Sequence, residues 1–197
     1  MAYPAIEPKL LSGEELITHT TATVLDYWRW AHSSLADNTE RGAFAEFLVH
    51  TAMQATSPTR VSWDKYDVLS PEGIKIEVKA SGYIQVWPQQ KLSSIRFSIC
   101  PTYGWNADTN TYDKECVRQS DVYVFCLQKH REQETLTIFD TDQWTFFVLP
   151  TEVLNREVGE QGTITLNKLK QLKATETGYD GLRSTILKVM NREDDTE

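Results

Sequence analysis

The sequence predicts an α/β (α+β) protein, a mixed sheet flanked by helices. Three observations carry this. Apolar residues recur at helical spacing in the first quarter, five short β-branched or aromatic runs follow, and helical spacing returns near the C-terminus. The 197 residues fit one domain. We divide it into an N-terminal helix over about 14–32, a core over about 38–150 and a C-terminal helical extension over about 151–192.

The first helix is predicted from Glu14 to Ala31. Ser12 and Glu15 form an S-x-x-E capping box, and Ile17, Thr20, Val24, Trp28 and Ala31 share a face. Tyr27, Trp28 and Trp30 are expected in the core. The second helix is predicted from Thr39 to Met53, capped by Asp37 or Asn38. Strands are predicted at Lys65–Ser70, Ile74–Ala80, Ile95–Cys100, Asp121–Gln128 and Trp144–Leu149. Val122, Val124, Phe125, Phe146 and Phe147 are core candidates. PTYGWNADTNTYDKE, residues 101–115, reads as a loop. Two helices follow, at Leu166–Leu172 and Asp180–Met190.

Composition narrows the class. Hydrophobic residues make up 40% and charged residues 24%, a soluble globular balance. No apolar run approaches the ~18 residues of a membrane span, and no membrane partner is expected. The start, MAYPAIEPKL, lacks the basic-then-apolar pattern of a signal peptide. Cys100, Cys116 and Cys126 form no CxxC, which fits a reducing, cytoplasmic setting and packed rather than reactive thiols. The net charge is −8, yet residues 56–105 carry 6 basic against 4 acidic side chains. That basic segment holds the most informative stretch, YDVLSPEGIKIEVKAS, residues 66–81.

Here Pro71, Glu72 and Gly73 form a three-residue hairpin loop, with Gly73 suited to the left-handed position. Pairing Ser70 with Ile74 sets Asp67 opposite Glu77, and Lys79 shares their face. Ile74, Ile76, Val78 and Ala80 fill the other face. Two opposed acids repel, so one takes a proton or a cation sits between them. Oxygen ligands without a soft donor favour Mg²⁺ or Mn²⁺. A solvated strand face with a Glu–Lys pair is the plainer alternative. A register slip of one residue would exchange Asp67 for Asp64 as first acid, and the residues leave both open.

Asp67, nine residues, then Glu77-Val78-Lys79 resembles the PD-(D/E)XK nuclease superfamily. The resemblance covers about residues 38–130 and implies a restriction-endonuclease-like fold. Tyr66 stands where the family name has proline. The upstream helix segment RGAFAEFLV supplies Glu46, matching the glutamate often carried by that family's first helix. The resemblance implies a Mg²⁺-dependent DNA endonuclease. Asp67, Glu77 and the carbonyl of Val78 would hold the metal, and Lys79 would orient water or stabilise charge. Glu46 would bind a second metal or a water. DNA is expected over RNA, and a homodimer is possible. The alternatives are a silent nucleic-acid-binding or assembly module on this fold, and a coincidental string in a structural protein.

Other signals are weaker. GxGxxG, Walker, G-x-S-x-G and HExxH motifs are absent. His50 lies one turn after Glu46, within reach of its carboxylate, although such a histidine is more often structural. In YIQVWPQQK, residues 83–91, Gly82 permits a change of direction. Tyr83, Gln85 and Trp87 then alternate with Ile84 and Val86. Gln85, Trp87, Gln90 and Lys91 are candidate nucleic-acid contacts, through amide–adenine pairing, base stacking and phosphate contact; the plainer alternative packs Trp87 under a neighbouring helix and turns the glutamines to water.

Overall fold

The computed structural model describes residues 6, 8–60, 65–106 and 109–194. Asp64, the rival first acid, lies outside the described residues.

The N-terminal prediction fails in its first half. Helix α1 spans only Val24–His32. Ser12 and Glu15 do exchange bonds, with the Ser12 N–H donating to Glu15 Oε1 at 3.0 Å. They close a turn rather than open a helix. Leu16 then bridges Thr23, and His19 takes a left-handed φ of 66°. The working capping box is Thr23 with Asp26. No residue of α1 is buried. Tyr27, Trp28 and Trp30 are 50%, 36% and 84% exposed, which corrects their placement in the core.

Helix α2, Asn38–Met53, matches its prediction and is capped by the Asp37 carboxylate. A five-stranded sheet follows. It contains β1 (Val68–Leu69), β2 (Lys75–Gly82), β6 (Val122–Gln128), β7 (Trp144–Pro150) and β9 (Thr175–Thr177), in that order. The sheet is mixed: β2 and β6 run parallel, and the other neighbours are antiparallel. Between β2 and β6 lie β3 (Arg96–Ser98) and a hairpin of β4 (Thr102–Asn106) and β5 (Thr111–Val117). The segment read as a loop is therefore largely this hairpin, whose turn-like Asn and Asp residues conceal a short ladder. After β7 come α3 (Thr151–Val158), β8 (Thr163–Thr165), α4 (Leu166–Gln171) and α5 (Leu182–Asp194). Strand β8 pairs with β3.

Strand alternation divides the core. Ile76 and Val78 of β2, with Val122, Val124 and Cys126 of β6, pack under Ala45, Leu48, Val49 and Met53 of α2 and Leu182 and Ile186 of α5. Tyr123, Phe125 and Leu127 face the other way, against Phe97, Ile99, Leu154 and Leu169. Burying about 25 cal/mol per Å² on each face holds β6 rigidly in place. Cys126 is buried, but Cys100 and Cys116 are exposed, correcting the expectation that all three pack. Among the described residues no helix is long and apolar enough to cross a membrane.

Candidate active site

The hairpin forms in the expected register, with Val68 opposite Ile76 and Leu69 opposite Lys75. Ser70 and Ile74 close the loop through a 3.0 Å bond, and Gly73 takes φ 82°. The β1 ladder is shorter than Lys65–Ser70 because the backbone departs from it at Asp67. There the Asp67 N–H turns to the Ile76 carbonyl at 3.0 Å. The Asp67 carboxylate in turn accepts the Val78 N–H at 2.7 Å, on an edge where a strand carbonyl would otherwise sit. In a strand, the N–H and C=O of one residue face the same edge, so the Val78 carbonyl faces the Asp67 side as well.

Val78 lies under α2, so its neighbours Glu77 and Lys79 point to the opposite face. Glu77 pairs in register with Tyr123. Its Oε1 meets Lys79 Nζ at 2.5 Å, and its Oε2 accepts a hydrogen bond from Ser120 Oγ at 3.1 Å. Burial, then the neighbouring Glu77, raise the Asp67 pKa to about 7, with Lys79 opposing. Burial disfavours the Lys79 charge, but Glu77 and Asp67 outweigh it and hold its pKa above the usual lysine value. The Tyr123 phenol is pushed up by burial and by Glu77. The structure thus brings together Asp67, Glu77 and Lys79. Ser120 is an addition that sequence alone does not mark, because its approach to Glu77 depends on the parallel β2–β6 pairing.

Glu46 has an arginine partner. Its carboxylate is held by Arg60, whose Nη2 donates to Oε1 at 2.8 Å and whose Nε bonds Oε2. The arginine offsets the cost of burying this acid. Asp67 feels Glu46 less than it feels Glu77. Both Glu46 and Asp67 line a groove of about 300 Å³ with Phe47, His50, Arg60 and Leu69. The His50 ring bonds the Ser57 carbonyl at 3.0 Å, not Glu46. Phe47 is exposed, so α2 is buried along one stripe and not nearly all round.

The segment after β2 is a loop, not an alternating strand. Gln85 is buried: its Nε2 donates to the Gly82 carbonyl at 2.8 Å, and its Oε1 accepts from Arg41 at 3.3 Å. It is a brace and is withdrawn as a base contact. Arg41, also buried, donates to the Ala36 and Ile84 carbonyls at 2.6 and 2.7 Å. A Cβ at Gly82 would stand 3.0 Å from Arg41 Cζ, so this glycine makes room for the guanidinium. Trp87, Gln90 and Lys91 are exposed on the loop.

The donors suit a hard divalent cation. Asp67 and Glu77 concentrate negative charge in a partly buried site, and oxygen is the only donor element they offer. Among the described residues no group of three or more His, Cys, Asp or Glu is arranged to hold a metal. A metal here would rest on two carboxylates, the Val78 carbonyl and water.

Two acids and a lysine gathered at the edge of a mixed sheet are groups able to act on a phosphate ester, chemistry of the nuclease class. Residues 13–168 match the family described as bacteriophage T4 endonuclease IV. The match takes in every residue of the site, and the chain belongs to this endonuclease family. No curated protein matches the sequence.

Proposed function

We propose that the protein is a Mg²⁺-dependent DNA endonuclease of the PD-(D/E)XK type, with Mn²⁺ as a possible substitute. The observation that carries this is the Asp67–Val78 hydrogen bond, which draws the acid just before β1 to the strand bearing Glu77 and Lys79. The endonuclease family assignment supports the reaction class. Asp67, Glu77 and the Val78 carbonyl would hold the cation. A bound Mg²⁺ supplies Lewis acidity toward a phosphate oxygen and lowers the pKa of water.

The remaining work belongs to the chain. Asp67 is kept in place by a backbone N–H, so its orientation costs little reorganisation. Lys79, held protonated by the two acids, is a charge donor beside the phosphate and can orient the attacking water. Lys79 Nζ, 2.5 Å from Glu77 Oε1, would stand beside a phosphate held at this carboxylate. Lys91 and Trp87, exposed on the loop after β2, are proposed to contact phosphate and base. The assay is direct: purified protein with plasmid, linear and single-stranded DNA, and with RNA, in Mg²⁺, Mn²⁺ or EDTA. Cleavage of DNA with either metal and none in EDTA is expected. Cleavage in EDTA, or of RNA alone, contradicts the proposal.

A further inference from the structure

We infer that Ser120 is a positioning residue that fixes the Glu77 carboxylate for the cation. The inference rests on Glu77 being a metal ligand. Ser120 is buried, and its hydroxyl lies 3.1 Å from Glu77 Oε2. The other oxygen, Oε1, is taken by Lys79 at 2.5 Å. The two carboxylate oxygens therefore have different partners: one is a neutral hydroxyl on a fixed backbone, the other an ammonium on a flexible stem. The Ser120 hydroxyl would hold the orientation of the carboxylate that Glu77 offers to a cation.

The backbone around Ser120 is clamped on both sides. Before it, the buried Arg118 binds the Ile99 carbonyl at 2.9 Å, Asn155 Oδ1 at 2.8 Å and the Gln161 carbonyl at 3.1 Å. After it, Asp121 exchanges bonds with Lys75: its N–H donates to the Lys75 carbonyl, and its carboxylate accepts the Lys75 N–H, both at 2.8 Å. Its carbonyl also accepts the Thr151 N–H at 3.0 Å. These bonds tie the segment to β2 only two residues before Glu77. The hydroxyl is thus registered to the strand it serves. Partners behind a metal ligand typically change affinity or activity by about 10–100-fold when removed.

The test measures Mn²⁺ affinity by calorimetry and the Mg²⁺ concentration giving half-maximal cleavage. The proteins are wild type, Ser120→Ala, Ser120→Cys and Ser120→Thr, with melting temperatures recorded in EDTA. Ser120→Ala and Ser120→Cys are expected to weaken Mn²⁺ binding by about tenfold or more and to raise the half-maximal Mg²⁺ by a similar factor. Ser120→Thr, which keeps the hydroxyl, is expected to restore both. Wild-type Mn²⁺ affinity in a folded Ala or Cys variant overturns the inference, as does a Thr variant as weak as Ala. If Ala fails to fold, Cys and Thr decide in the same way. A wild-type protein that binds no Mn²⁺ removes the metal reading itself, and this inference with it.

Discussion

The Asp67 carboxylate accepts the Val78 N–H at 2.7 Å, so the first acid of the site is anchored by the backbone of the strand that carries the second. Asparagine at position 67 keeps an acceptor for that bond and loses the charge. Asp67→Asn is therefore expected to fold, to bind Mn²⁺ at least tenfold more weakly, and to lose metal-dependent cleavage. Calorimetry and a plasmid assay check this; wild-type Mn²⁺ affinity would remove Asp67 from the ligand set.

The same residue sets a pH signature in EDTA. Its folded pKa, about 7, lies above the ~3.9 of an unfolded aspartate. Folding thus favours its protonated form. The associated stability is complete below about pH 4 and is lost as pH rises through about 7. Wild type is expected to melt lower than Asp67→Asn at pH 8, while the two converge near pH 4. Parallel melting curves across that range would contradict the assignment.

Protons and metal must also compete for Asp67. Below about pH 7, the half-saturating Mg²⁺ is expected to rise about tenfold per pH unit, and to level off above it. A metal requirement that does not change from pH 5.5 to 8 would show that an ordinary carboxylate holds the ion.

Lys79 is set beside Glu77 as a single ammonium. Arginine spreads its charge over a wide planar fork instead of a compact ammonium. Lys79→Arg is expected to lose at least tenfold in cleavage rate while keeping Mn²⁺ affinity. Full activity would reduce Lys79 to a generic positive charge.

Glu46 is 14% exposed at its side chain and Arg60 50%. Arg60→Ala leaves that acid without the arginine, at a cost of about 1 kcal/mol after solvent screening. Adding Glu46→Gln should recover most of the loss. Urea denaturation of the two single variants and the double variant measures the coupling; strictly additive effects would mean the pair contributes nothing.

The hairpin was legible because the Pro71-Glu72-Gly73 loop dictates its own register, and that register carries Asp67, Glu77 and Lys79 to one edge. Strands β6 and β7 were legible from their apolar runs, and helix α2 from its Asp37 cap and the apolar residues of RGAFAEFLV. The short β4–β5 hairpin was hidden by residues that favour turns. At α1, local signals competed: Ser12 with Glu15 and Thr23 with Asp26 are both capping pairs, and only the second starts a helix. The aromatic residues of α1 fit a core by spacing alone, but spacing does not say whether another element covers them. The partners of Gln85 and Glu46, Arg41 and Arg60, lie 44 and 14 residues away. Such pairings belong to tertiary structure and leave no trace in local pattern.

Asp67 and Glu77 are proposed to bind one catalytic cation between them. The most direct measurement is Mn²⁺ calorimetry on wild type, Asp67→Asn and Glu77→Gln, paired with a Mg²⁺ titration of plasmid cleavage on the same preparations. We expect one Mn²⁺ per chain in wild type, binding lost or severely weakened in either variant, and cleavage falling with it while the melting transition is retained. Unchanged Mn²⁺ binding and cleavage in both variants would contradict the account and place the endonuclease chemistry elsewhere in the chain.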